Sequence, residues 1–180
     1  MMTMTQKNKL NIMEISCRSD IGGGPEQLFK IITNLKHVFT FFCACPNQEP
    51  YYNKIINEGI PVFKLPHRKF EIRSFLALLK WTKVNGIMIV HSHGRGAGVY
   101  ARLLKLFNKR LKVVHNFHGI HIEKRGLALI VARLLGILTN KFVLVSRSEQ
   151  QIAVKYGLAS ASKCVLIENG IQIENGKYIK

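Results

Sequence analysis

Along the chain, contiguous apolar runs alternate with segments whose apolar positions recur at helical spacing. Asn11–Cys17, Val38–Cys43, Ile60–Leu65, Ile87–Val90, Val113–Phe117, Lys141–Val145 and Cys164–Ile167 read as strands. Between them, Leu28, Ile31, Ile32 and Leu35 form one stripe of a helix whose first residue is Pro25, where a missing N–H costs nothing. Further helices are predicted near Tyr51–Glu58, over Ile72–Val84, from Val99 through Phe107, over Leu127–Leu138, and from Ser146 to Tyr156. Ser146 and Glu149 have the spacing of a capping box. Strands without in–out alternation are buried on both faces, as in a parallel sheet covered by helices. About six strand–helix alternations therefore predict an α/β fold, a Rossmann-like parallel sheet with helices on both faces. Residues 1–9 read as a flexible start, 10–170 as one domain, and 171–180 as a linker without an element of its own.

In such sheets ligands lie beyond the carboxyl ends of the strands. The first strand runs into Gly22-Gly23-Gly24, where glycine lets backbone N–H groups approach a ligand and a helix N-terminus favours an anion. A tight turn without a ligand fits the same residues. A dinucleotide fingerprint does not, because neither this loop nor Gly94-x-Gly96-x-Gly98 has G-x-G-x-x-G spacing after the first strand. His91 and His93 follow the fourth strand, and His118-Gly119 follow the fifth. His91, His93, His115, His118 and His121 tempt a metal reading, but no Cys or carboxylate completes a ligand set, so no metal is expected. His118 is placed to hydrogen-bond a substrate hydroxyl or phosphate, with backbone capping as the alternative. Arg95, at a helix start between Gly94 and Gly96, and His93 are candidate anion or acceptor contacts.

Charge changes the picture. Lys and Arg number 27 against 10 Asp and Glu, a net +17 that calls for a polyanionic neighbour. No recognised nucleic-acid motif accompanies it. Arg68, Lys69 and Arg73, beside Phe70 and Phe75, suit an anionic membrane surface. Cys17, Cys43, Cys45 and Cys164 lack zinc-type pairing and read as buried free thiols of a reducing compartment. The N-terminal MMTMTQKNKL has no apolar signal core, and the longest apolar run is about 12 residues against roughly 20 for a bilayer span. A cytoplasmic protein, peripheral at the inner membrane face, is the expectation.

Three stretches together resemble the N-terminal half of a family-4, GT-B-fold glycosyltransferase. They are the Gly23-Gly24 loop before a helix, IVHSHGRGAG with NFHGIH, and FVLVSRSEQQIAVKYG followed by VLIENGI. The resemblance runs from about Leu10 to Ile173. It implies an acceptor-binding half that works with a second, donor-binding half, on a nucleotide-sugar co-substrate and a lipid-linked or glycan acceptor, for cell-surface polysaccharide or glycoconjugate. It implies retention of anomeric configuration, and neither cofactor nor metal. It places Gly23 and Gly24 at the donor diphosphate, His118 at the sugar as the catalytic candidate, and Asn169-Gly170 at the interdomain turn. The acidic E-x7-E motif of the second half is absent from these residues. A fragment, a truncated gene or one subunit of a split enzyme with a separate C-terminal partner is therefore expected, inactive alone. A non-catalytic binding subunit or inactive remnant is the alternative.

Overall fold

A computed structural model of the chain describes residues 9–120, 126–168, 170, 173–174 and 177–178. The strands are β1 (Asn11–Ser16), β2 (Thr40–Cys45), β3 (Val62–Lys64), β4 (Ile89–His93), β5 (Lys112–Asn116), β6 (Lys141–Leu144) and β7 (Cys164–Leu166). The helices are α1 (Gly23–Leu35), α2 (Tyr51–Asn57), α3 (Ile72–Val84), α4 (Gly94–Phe107), α5 (Leu127–Ile137) and α6 (Arg147–Lys155). One seven-stranded sheet has the order β3-β2-β1-β4-β5-β6-β7, and every neighbouring pair is parallel. The order reverses between β1 and β4, the switch point where open α/β sheets leave a crevice at their carboxyl ends. The predicted fold class is the observed one.

Both faces of the central strands are covered, which explains their continuous apolar runs. Met13 and Ile15 of β1 are fully buried with Phe75 and Leu78 of α3 and with Tyr100 and Leu104 of α4. The alternate residue Ile12 lies opposite, with Leu28 and Ile32 of α1 and Tyr52 and Ile55 of α2. Fully burying such a side chain contributes about 1.5–3 kcal/mol, so neither helix layer is dispensable. At Gly98 an added Cβ would lie 2.7 Å from the His115 ring and 2.9 Å from the Arg102 guanidinium. Glycine there lets α4 lie directly on β5. Among the described residues no helix is long and apolar enough to cross a membrane. All four cysteines are free thiols, three of them buried.

Several boundaries differ from the sequence expectation. Helix α1 begins at Gly23, ahead of Pro25, because the Glu26 N–H already donates to the Gly22 carbonyl at 3.1 Å. Strand β2 starts at Thr40 because the N–H groups of Val38 and Phe39 close the end of α1 on the Leu35 carbonyl. Strand β4 extends through His93, since β1 and β5 pair with it on both sides up to that residue. The segment taken as a bare linker contains a short antiparallel pair, β8 (Ile173–Glu174) with β9 (Lys177–Tyr178). The intervening sequence is Asn175-Gly176, a strong hairpin signal that the linker reading passed over.

Candidate functional site

The carboxyl ends of β1, β4 and β5 open into a cleft of about 590 Å³, lined among others by Gly23, Gly24, Arg68, His93, Arg95 and His118. That volume is within the range of small-molecule sites. The proposed donor, acceptor and catalytic residues thus share one site. Gly170 instead lines an adjoining groove with Gln27 and Ile167, and Asn169 lies outside the described residues. Arg68 is exposed, as its membrane-surface assignment requires, and it also borders the cleft. Its N–H donates to the Cys17 carbonyl at 3.2 Å, and a left-handed backbone with φ 51° folds this loop over the end of β1. Lys69 and Arg73 remain exposed and do not line the cleft.

Two helices begin at this cleft. The opening N–H groups of α1, those of Gly23 and Gly24, have no acceptor within the helix, and Gly22 supplies no side-chain cap. A Cβ at Gly23 would meet nothing within 4 Å, and one at Gly24 would only reach van der Waals contact with His118. The backbone is therefore open to a ligand. Helix α4 starts with Gly94, whose φ of 78° favours glycine, followed by Arg95. Two positive dipole ends, with Arg18, Arg68 and Arg95, make the cleft strongly attractive to an anion. Arg18 is partly committed, since its guanidinium donates to both Asp20 oxygens at 2.8 and 3.0 Å.

The other wall is a buried polar chain. Glu14 on β1 faces His91 and His93 on β4 across the sheet register. The carboxylate accepts from His93 Nε2 at 2.7 Å and from His91 Nδ1 at 3.2 Å. His93 Nδ1 lies 2.9 Å from His118 Nε2. Burial would push the Glu14 carboxyl up, but the neighbouring His91 and His93, by charge and hydrogen bonding, hold it down at about 2. Burial, with repulsion from His91, lowers the His93 pKa against the pull of Glu14. Burial and the nearby His93 and His91 lower His118 to about 4. An ionised carboxylate accepting the N–H of a neutral imidazole satisfies these directions together. His93 therefore does not serve as an anion ligand: it is buried and both its ring nitrogens are engaged.

The turn carrying His118 is held from behind. His118 has φ 54°, a left-handed conformation uncommon for a non-glycine residue. Glu149 Oε1 accepts from the Gly119 N–H at 2.8 Å, and its Oε2 from the Val145 N–H at 3.0 Å. Ser146 caps α6 through the Glu149 N–H as predicted, but the Glu149 carboxylate reaches the His118 turn rather than closing a capping box. Asn116 Nδ2 donates to Gln27 Oε1 at 2.7 Å, tying β5 to α1. His115 is not part of the site. It is buried on the opposite face of the sheet, with Nδ1 2.9 Å from the Ser92 hydroxyl. His121 lies outside the described residues.

The expectation that no carboxylate joins the histidines needs correction. Glu14, 77 residues before His91, does so. One ligand atom from each of Glu14, His91 and His93 lies within 4.8 Å of the others, a spacing compatible with a metal ion. An ion there would have to replace the direct carboxylate–imidazole hydrogen bonds. Glu14, Arg18 and Gln27 were missed by sequence reading. The available signal for Glu14 was an acidic residue inside an apolar strand, NIMEIS.

The pattern of Glycosyltransferase Family 4 matches residues 28–175. The chain belongs to that family. Relatives in Escherichia coli include the O-antigen biosynthesis glycosyltransferase WbnH, 25% identical over 166 residues, which are 89% of this chain and 49% of WbnH. Another is a UDP-Gal:alpha-D-GlcNAc-diphosphoundecaprenol alpha-1,3-galactosyltransferase, 26% identical over 110 residues, 58% of this chain and 28% of that protein. The chain spans about half the length of the first of these relatives. Among solved structures, a Rickettsia africae glycosyltransferase superposes with TM-score 0.75 at 19% identity, covering 92% of this chain and 44% of that one. Anabaena HepE, crystallised with UDP and glucose, gives 0.73 at 16% identity, covering 89% and 44%. The fold is one half of a GT-B fold.

The buried network predicts acid sensitivity. Folded His118 titrates at about 4 instead of its ordinary 6.5, so the unfolded chain takes up that proton first as pH falls. His93 and His115 shift in the same direction. Stability should therefore fall from pH 6.5 towards 4, and Glu14, held at about 2 instead of 4.5, should extend the loss below that. Thermal unfolding across this series checks it, and a Tm that is flat or rising from pH 6.5 down to 4 would contradict it.

Proposed function

We propose that this family-4 chain is the acceptor-side half of a retaining glycosyltransferase. It would transfer sugar from a nucleotide-sugar donor to a lipid-linked or glycan acceptor in cell-surface polysaccharide synthesis. The observation that carries the reading is convergence: the free N–H groups of Gly23 and Gly24, the Arg95 side chain and His118 line one cleft. When a glycosidic bond to a diphosphate breaks, negative charge grows on the leaving phosphate. Fixed N–H dipoles and guanidinium groups stabilise that charge without reorganising. No cofactor enters this scheme. His118, neutral at pH 7, hydrogen-bonds the sugar being transferred rather than acting as a charged acid. The names of the Escherichia coli relatives, one O-antigen and one lipid-diphosphate transferase, support the acceptor class.

A second domain, on the same polypeptide or as a separate C-terminal subunit, holds the base and ribose in this reading. The membrane side is α3. Ile72 and Leu76 are 67% and 57% exposed there, alongside exposed Lys69, Arg73 and Lys80. Apolar side chains within a basic rim suit an anionic lipid surface, which would keep the enzyme beside its acceptor.

Two outcomes follow. The 180-residue chain alone should show no measurable sugar transfer, and a donor-binding half supplied in fusion or in trans should restore it. In that complex His118→Ala should lower turnover about 10–1000-fold. Robust transfer by the isolated chain would overturn the half-enzyme reading, and full activity of His118→Ala would remove the role given to that ring. The chain should also sediment with anionic vesicles and release as salt rises, because screening shortens to about 8 Å at physiological ionic strength. Equal sedimentation with neutral vesicles would exclude the electrostatic surface.

A further inference from the structure

The chain from Glu14 through His93 to His118 has a direction. Ionised Glu14 can only accept, so His93 Nε2, 2.7 Å away, must carry the proton. A neutral His93 then has a bare Nδ1, an acceptor. The partner of that acceptor, His118 Nε2 at 2.9 Å, must therefore be the donor. This leaves His118 Nδ1 unprotonated, and no described residue bonds it. We propose that Glu14 and His93 are positioning residues that set the tautomer of His118, so that it meets a ligand as a hydrogen-bond acceptor and selects a hydroxyl over a phosphate oxygen.

The alternatives are costly. Reversing the chain would place a bare His93 Nε2 against a carboxylate oxygen at 2.7 Å, acceptor facing acceptor, where Glu14 is 1% exposed. Turning the His93 ring over would replace both of its nitrogen contacts with carbon. Protonating both His93 nitrogens would need an imidazolium in a ring 4% exposed, which burial disfavours. The consequence is a division of labour in the cleft. Phosphate oxygens, which are acceptors, go to the N–H groups and guanidinium groups of Gly23, Gly24 and Arg95. A hydroxyl, which can donate, goes to His118. That the hydroxyl belongs to a sugar rests on the glycosyltransferase reading; the tautomer does not.

The test is long-range proton–nitrogen NMR of the histidine-labelled full chain near pH 7.5. The expected wild-type spectrum has His118 with a protonated Nε2 and an Nδ1 resonance in the unprotonated range. Glu14→Gln offers an amide that can donate as well as accept, and His93→Phe keeps a ring but removes the acceptor. In each, His118 should shift towards a mixture of tautomers. A wild-type His118 protonated on Nδ1 overturns the proposal, and so does an unshifted His118 in both variants. The wild-type spectrum assigns the tautomer whether or not the variants fold. None of these readings depends on sugar transfer, so a failed transferase assay and a failed relay are separate results.

Discussion

A carboxylate sealed inside a sheet has to be hydrogen-bonded, and here that requirement organises the site. Glu14 occupies an inward position of β1 where its neighbours on the same strand are apolar. It is tolerated because β4 presents two imidazoles to it, His91 directly across the register and His93 two residues further along the strand. Removing one partner of such a buried set characteristically costs about 3–5 kcal/mol, because a charge is left without compensation. The same contact that satisfies Glu14 fixes His93, and His93 fixes the ring at the end of β5. Strand register and site geometry are thus one constraint.

The electrostatics of the cleft follow from topology. A parallel sheet that reverses order between β1 and β4 brings the loops after both strands to one crevice. Each loop leads at once into a helix, so two helix N-termini face the same space. Arginines at positions 18, 68 and 95 add to that field, and glycines at 23 and 24 keep the backbone accessible. Opposite them stands His118, held in a left-handed turn by Glu149 from α6. An anion and a neutral hydroxyl can be held side by side there.

Much of this was legible in the sequence. The parallel fold followed from apolar runs with no alternation, and the cleft glycines and His118 from their places after strands. Glu14 was not legible, because its meaning depends on residues 77 positions away that only the register supplies. Arg68 is exposed as the basic loop implied, but its second place, at the rim of the cleft, was not legible, because charge patterning says nothing about a φ of 51° that turns the loop over the end of β1. His91 and His93 looked like loop ligands, since apolar periodicity ends at Val90 while the hydrogen-bond ladder continues to His93.

In the proposed site the diphosphate of a nucleotide would sit on the opening N–H groups of α1, beside Arg95 and His118. Backbone amide shift mapping of the 180-residue chain during a UDP titration, with uridine as the control, tests it most directly. The amides of Gly23, Gly24, Arg95 and Gly119 should move with UDP and stay still with uridine. Amides of Gly23, Gly24 and Arg95 that remain unmoved at saturation, or equal shifts with uridine, would contradict it.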